Sequence, residues 1–376
     1  MSQPPYIITN ARFVTLTKLD AATGRIEWMR HLIPPFWPRS RNAGNVIAGA
    51  ADALQVSAIH GTNDVAVRVT GFGVAAPTNC YHAVARVTPC GCVEWWRHIH
   101  LAAPQAVPND MVTDSSGDTI ISEGSNALEV LNTAGQPTFY TNVDTPPTYL
   151  GSATPGALTL WHCPGRDQFI TQAGYVDGTT QYRLRTPTTA AWARFYVTTI
   201  LSTMLTVSDN YFATFEQWFP LSPTDRRYGL VVRSLAGGSY TLPDLFPPQF
   251  DIVANTMTAT FKTAAGAAAF GDSFYWFHND GTARLMKTDH LLNETWSISP
   301  ITGIGSDQMV ADANGLMCLM PAVASVWNGR NLMLVKYAAA NGSIVWKQSL
   351  GLSGNVQQIC LSDNGSLYVA STAVRV

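Results

Sequence analysis

The chain has 376 residues, a formal net charge of −2 and only 13% charged residues, against 46% hydrophobic and 10% aromatic. This near-neutral balance excludes the basic field of a general nucleic-acid binder, and the apolar share is enough for an extensive core. Six cysteines lack the density and regularity of a disulfide scaffold, and the longest small-apolar run, Ala264 to Phe270, is too short to span a bilayer.

The first predicted element is a hairpin over roughly residues 13 to 32. Lys18 to Gly24 (KLDAATG) reads as a strand end and a small-residue turn, and Gly24 to His31 (GRIEWMRH) as a strand with Trp28 four residues after the glycine. A long connection, Ile33 to Gly44, follows and holds Phe36, Trp37, Arg39 and Arg41. The hairpin then recurs: Cys80 and His82 precede a turn near Pro89 to Gly91, and Gly91 to His98 (GCVEWWRH) carries Trp95, with His100 beyond it. Met111 to Gly117 (MVTDSSG) followed by Thr119 to Ser122 is a different unit: apolar strand, Asp-x-x-Gly turn, apolar strand. There Asp bonds the turn backbone and Gly supplies the positive φ of a tight hairpin. Phe139, Trp192 and Tyr240 are placed as further returning-strand aromatics, the last two mainly by spacing. Around them lie two long connections, Glu216 to Gly229 with Trp218, Phe219, Arg226 and Arg227, and Pro243 to Asp251 with Phe246. Trp296 marks another returning strand, and Met309 to Gly315 (MVADANG) repeats the Asp unit. Pro321 to Arg330 is a fourth long connection, with Trp327 and Arg330. The first hairpin returns as Lys336 to Lys347 with Trp346, and Ile359 to Gly365 (ICLSDNG) with Leu367 to Ala370 closes the series.

The two units alternate, so each repeat holds an inner and an outer hairpin, which is the blade of a β-propeller. The aromatics Trp28, Trp95, Phe139, Trp192, Tyr240, Trp296 and Trp346 recur about every 50 residues, near the usual blade period. The first hairpin has no inner partner before it, and the last, roughly 356 to 372, has no outer partner after it. Joined, they complete a seventh blade and leave no open sheet edge. The fold expected is all-β: one domain, 1–376, a seven-bladed β-propeller of four-stranded antiparallel blades closed by the N-terminal outer and C-terminal inner hairpins.

The outer hairpin resembles the Ala-x-Asp-x-x-Thr-Gly-x-x-x-Trp motif of the pyrroloquinoline-quinone-like propeller superfamily. Asp20, Thr23, Gly24 and Trp28 match it, with Lys18 at the Ala position. The Trp95 copy keeps Gly and Trp with Thr88 for the Asp, and the Trp346 copy keeps them with Ala338. The resemblance implies Trp packing between blades. It does not imply the cofactor, because the quinone enzymes are longer, usually have eight blades and use a vicinal cysteine pair that this chain lacks. The cofactor expectation is none.

Within-hairpin turns of a propeller share one face, and the other connections share the opposite face. All four long connections are assigned to the second class. Phe36, Trp37, Arg39, Trp218, Phe219, Arg226, Arg227, Phe246, Trp327 and Arg330 are therefore expected to crowd one partner-binding face, since Trp and Arg are enriched at interface hot spots. The competing reading is that these aromatics form satellite cores under Pro-rich loops. Cys80, His82, His98 and His100 have equal parity and could hold zinc if the hairpin register has an even residue-number sum. His31 stands where His98 does without such neighbours, so the expectation is no metal. The acids near loops, Asp64, Asp110, Glu123, Asp177, Glu216 and Asp225, show no catalytic pairing pattern.

The expectation for function is a non-enzymatic interaction propeller of a virus particle: a bacteriophage tail, fibre or capsid-associated protein. Its partners would be proteins or other copies of itself, with no nucleic acid and no membrane. Met1 to Tyr6 lacks the charged and apolar stretches of a signal peptide, so the expected location is the virion, made in the host cytoplasm, with the cytoplasm itself as alternative. A bacterial scaffold similar to the outer-membrane assembly propeller, and a glycan-binding or glycan-cleaving propeller, are the other readings.

Overall fold

A computed structural model describes residues 12–32, 54–72, 80–99, 108–123, 127–141, 155–164, 166–175, 180–196, 200–218, 227–236, 240–241, 252–255, 264–279, 283–300, 308–321, 332–351 and 354–374. Among the described residues, twenty-nine strands form seven sheets, antiparallel but for one short added strand, and there is no helix. The first blade combines β28 (Gly354–Leu361), β29 (Ser366–Val374), β1 (Arg12–Asp20) and β2 (Ile26–Leu32). Blade 2 is β3 (Leu54–Ala58), β4 (Val65–Phe72), β5 (Cys80–Val87) and β6 (Val93–His98); blade 3 is β7 (Pro108–Thr113), β8 (Thr119–Glu123), β9 (Ala127–Leu131) and β10 (Pro137–Thr141). Blade 4 is β11 (Pro155–His162), β12 (Phe169–Tyr175), β13 (Thr180–Arg185) and β14 (Ala190–Tyr196), and β18 (Tyr240–Thr241) adds to it in parallel. Blade 5 is β15 (Ile200–Val207), β16 (Tyr211–Trp218), β17 (Arg227–Ser234) and β19 (Ile252–Asn255). Blade 6 is β20 (Ala264–Phe270), β21 (Ser273–Asn279), β22 (Ala283–Asp289) and β23 (Glu294–Ile298); blade 7 is β24 (Met309–Asp312), β25 (Gly315–Pro321), β26 (Leu332–Ala338) and β27 (Ile344–Ser349). The ring closes as expected, with β1 zipped against β29 from Arg12↔Val374 to Asp20↔Ser366.

The core is distributed as a ring. Each of seven apolar clusters lies between two adjacent blades, such as Leu16, Val56 and Val67 between blades 1 and 2, and Leu19, Met317 and Leu334 between blades 7 and 1. Middle strands are covered on both faces and lose the alternation of a half-exposed strand; β9 is buried throughout. The outermost strands keep exposed positions, as in β6 and β27.

The indole N–H of one outer-strand Trp in each of five blades docks on the outer turn of the next blade. Trp346 donates to the Ala21 carbonyl (3.2 Å), Trp28 to Pro89 (2.8 Å), Trp95 to Thr133 (3.1 Å), Trp192 to Leu235 (3.0 Å) and Trp296 to Ala339 (3.0 Å). This explains why the hairpin needs glycine four residues before Trp, although the two never serve each other. Gly24 has φ +73°, and a Cβ there would stand 2.7 Å from the Trp346 ring of the preceding blade; Gly342, at φ +71°, would meet Trp296 at 2.8 Å.

Two expectations are corrected, and the Trp series divides by depth. Tyr240 is not the outer strand of blade 5: β18 pairs with β14 of blade 4, and β19 completes blade 5, because equal spacing cannot reveal an inserted segment. The connection containing Pro243 to Asp251 joins the third and fourth strands of blade 5, so it leaves from the hairpin-turn rim, opposite to the one assigned to it. Trp28, Trp95 and Trp346 are half-buried; the deeply buried members of the series are Trp192 and Trp296, at 3% and 8% exposure.

Candidate functional site: the two rims of the ring

Antiparallel blades give the propeller two unlike rims. On one, thirteen of the fourteen hairpin turns are two to six residues long. They are locked by side chains with short reach: Asp289 Oδ1 accepts from the backbone of Leu291 and Asn293, and Asn132 Oδ1 from Ala134 and Gln136. Turns of adjacent blades are also stapled together, as where Asp363 Oδ2 meets His60 Nδ1 at 2.8 Å and accepts from the Gly61 N–H at 2.9 Å. The opposite rim carries the long connections, including those between β2 and β3, β16 and β17, and β25 and β26.

Of the expected partner-binding residues, Phe36, Trp37, Arg39, Phe219, Arg226, Phe246, Trp327 and Arg330 lie outside the described residues. Trp218 and Arg227 end β16 and begin β17, where they are direct register partners at the long-connection rim. Strand pairing therefore brings these two positions together across more chain than separates ordinary turn neighbours.

The proposed zinc register is not met. Val87 pairs with Val93, an even sum, but a bulge between Arg86 and Val87 shifts the ladder so that His98 opposes Ala83. A one-residue shift moves a side chain to the other sheet face, so His82 and His98 lie on opposite faces. His82 is fully buried, and desolvation, aided by the Arg68 and His98 charges, holds its pKa down to about 4. His100 lies outside the described residues.

The same bulge exposes what sequence reading missed. It recurs after Lys18, Leu184, Lys287 and Lys336, each paired with an outer-strand Trp: Lys18↔Trp28, Arg86↔Trp95, Leu184↔Trp192, Lys287↔Trp296 and Lys336↔Trp346. Four of these five partners are cations. In three seams the cation and the Trp converge on one turn carbonyl of the next blade. Lys336 Nζ joins Trp346 at Ala21 O (3.0 Å), Arg86 joins Trp95 at Thr133 O (3.1 Å), and Lys287 joins Trp296 at Ala339 O (2.9 Å). A carbonyl has two lone pairs, and both are used. The signal was present in the scarcity of lysine: of only five in the chain, three sit at this position.

Several acids near loops are committed to packing. Asp64 binds Arg86 at 2.6 Å, and Glu216 is enclosed with Arg233 (2.7 Å) and Thr214 (2.9 Å) inside the interface of blades 4 and 5. Asp110 links three blades, accepting from Gln55 of blade 2 and from the Leu160 N–H of blade 4 (2.9 Å). It keeps some accessible surface, but protein crowds its carboxyl, and desolvation raises its pKa to about 6 against the opposing pull of the Leu160 bond and of Arg68. Arg68 in turn is depressed to about 10 by its own burial. Asp177 and Asp225 lie outside the described residues, and only the backbone of Glu123, in β8, is described.

No protein family matches the chain, and no curated protein matches its sequence. Solved structures do match its fold. A chain of the mitotic checkpoint complex superposes with a TM-score of 0.51 at 10% identity, covering 100% of this chain and 98% of that one. BBS1N, solved in complex with ARL6DN and soaked with lead, gives a TM-score of 0.45 at 9% identity over 89% and 96%. At such identity the first likeness speaks for the fold alone.

Proposed function

We propose that this chain is a non-enzymatic interaction propeller that docks a protein partner, or further copies of itself, through its long-connection rim. One observation carries the reading: the hairpin-turn rim is internally bonded and short at every turn but the one between β17 and β19, while the opposite rim concentrates long connections on a rigid ring. Loops held by a rigid scaffold are where binding concentrates, and these contain Trp and Arg at high density. The reading extends to a component of a bacteriophage particle. The low charged fraction and net charge of −2 support a surface that spends its life covered in an assembly. The Trp-docked seams support kinship with the quinone-like propellers without their cofactor.

The test pairs two variants of the full chain. Trp218→Ala with Arg227→Ala is expected to leave melting unchanged and to remove the chain from particles purified out of the producing culture. Asp209→Ala with Asp272→Ala, on exposed turns of the other rim, is expected to leave incorporation intact. If the first variant unfolds, its residues belong to a satellite core. If incorporation survives it, or fails only in the second variant, the long-connection rim is not the docking face. Because the chain is near neutral, association is expected to vary only modestly with salt.

A further inference from the structure

The outer turn of blade 2 carries two sulfurs that nothing in the seam requires. Cys90 and Cys92 are both exposed and free, and their Sγ atoms lie 3.2 Å apart, within reach of a thiol–thiolate hydrogen bond. The turn that holds them is closed from both ends. Thr88 N–H bonds Cys92 O at 2.9 Å, Gly91 N–H bonds Thr88 O at 2.9 Å, and Cys92 N–H bonds the Thr88 hydroxyl at 3.2 Å. Gly91, at φ +82°, lets the chain reverse between the sulfurs and leaves room for Arg30, whose Cγ would lie 3.0 Å from a Cβ there. Blade 1 also reaches this turn through the Trp28 bond to Pro89.

The two thiols are made unequal. The Thr88 hydroxyl lies 3.0 Å from Cys90 Sγ, and its hydrogen bond, followed by that of Cys92, lowers the Cys90 pKa to about 7. Cys92 is raised, chiefly by the same bond from the other side, while the Arg30 charge works against the rise. One sulfur is thus readily a thiolate, and its neighbour keeps its proton, which is the division between an attacking and a resolving thiol. The buried cysteines differ: enclosure pushes Cys163 up to about 12 and Cys318 well above its ordinary value.

We infer that Cys90 and Cys92 form a dithiol–disulfide redox site on the outer edge of the ring, exchanging with low-molecular-weight disulfides. The Cys90 thiolate attacks one sulfur of the small disulfide, whose S–S bond breaks and releases a thiolate that takes a proton. Cys92 then gives its proton to solvent and attacks Cys90 Sγ. The mixed S–S bond breaks, and the second small thiolate leaves and is protonated. The protein loses two electrons and two protons, and the small disulfide gains both.

The full chain incubated with oxidised glutathione, then trapped with iodoacetamide and mapped by mass spectrometry, tests this. The expected result is a peptide spanning Cys90 and Cys92 that is two hydrogens lighter and unalkylated, restored by dithiothreitol. Cys92→Ser is expected to stop with glutathione held on Cys90, and Cys90→Ser to take up glutathione about tenfold more slowly than wild type. Full alkylation of both cysteines in the treated wild-type chain overturns the inference, as does a disulfide from either one to a different cysteine. The wild-type measurement decides the matter even if a variant fails to fold.

Discussion

The seam geometry makes a sharp prediction about Gly24. Replacing it with alanine places a residue with a side chain at φ +73° and puts a Cβ 2.7 Å from the Trp346 ring, closer than packed carbons approach. The backbone term is about 1–2 kcal/mol for a left-handed conformation, and the clash adds about 1–3 kcal/mol of overpacking. Gly365 provides the control: its φ is +79°, but a Cβ there meets nothing within 4 Å, so Gly365→Ala is expected to cost only the backbone term. Trp346→Ala removes the ring that Gly24 accommodates. In that background Gly24→Ala falls to the Gly365→Ala cost, giving a coupling of about 1–3 kcal/mol in a double-mutant cycle. Urea unfolding followed by circular dichroism, with slopes checked for equality across variants, measures all four proteins. An additive cycle, or equal costs for Gly24→Ala and Gly365→Ala, would refute the claim that the motif glycine exists to receive the preceding blade's Trp.

Two further outcomes follow from burial and from charge. Trp192→Ala is expected to cost about 3–5 kcal/mol, because the ring is 3% exposed and loses its bond to Leu235 O; Trp28→Ala, at a half-buried site, is expected to cost roughly half as much. Equal melting losses for the two would contradict the burial pattern. Asp110 binds its proton more tightly folded, near 6, than unfolded, near 3.8, so its contribution is fully present below about pH 4 and is lost as pH rises to about 6, on the order of 3 kcal/mol. Asp110→Asn is expected to flatten the dependence of melting temperature on pH across that window, and an unchanged profile would exclude Asp110 as its source.

Turn chemistry is local, and so it was legible in the chain. Asp20 to Gly24, Asp114 to Gly117 and Asp312 to Gly315 each announce a hairpin within five residues, and their alternation yields four-stranded blades. The incomplete repeats at the two ends imply the β1–β29 closure, because only their pairing gives the seventh blade its four strands and closes the ring. Trp218 and Arg227 could be named only as candidates from composition and connection length; their register pairing came from the structure. The tertiary structure decided whatever depends on residues far apart in the chain. Gly24 answers to Trp346, and Lys336 to Ala21, across more than 300 positions. The bulge after Arg86 determines that His98 faces away from His82, and no pattern of residue types shows where a ladder slips by one. The inserted β18 took Tyr240 into a neighbouring blade for the same reason. Backbone hydrogen bonds within a turn need only the turn, whereas seams and registers are settled by which packing between blades buries the most apolar surface with its polar groups satisfied.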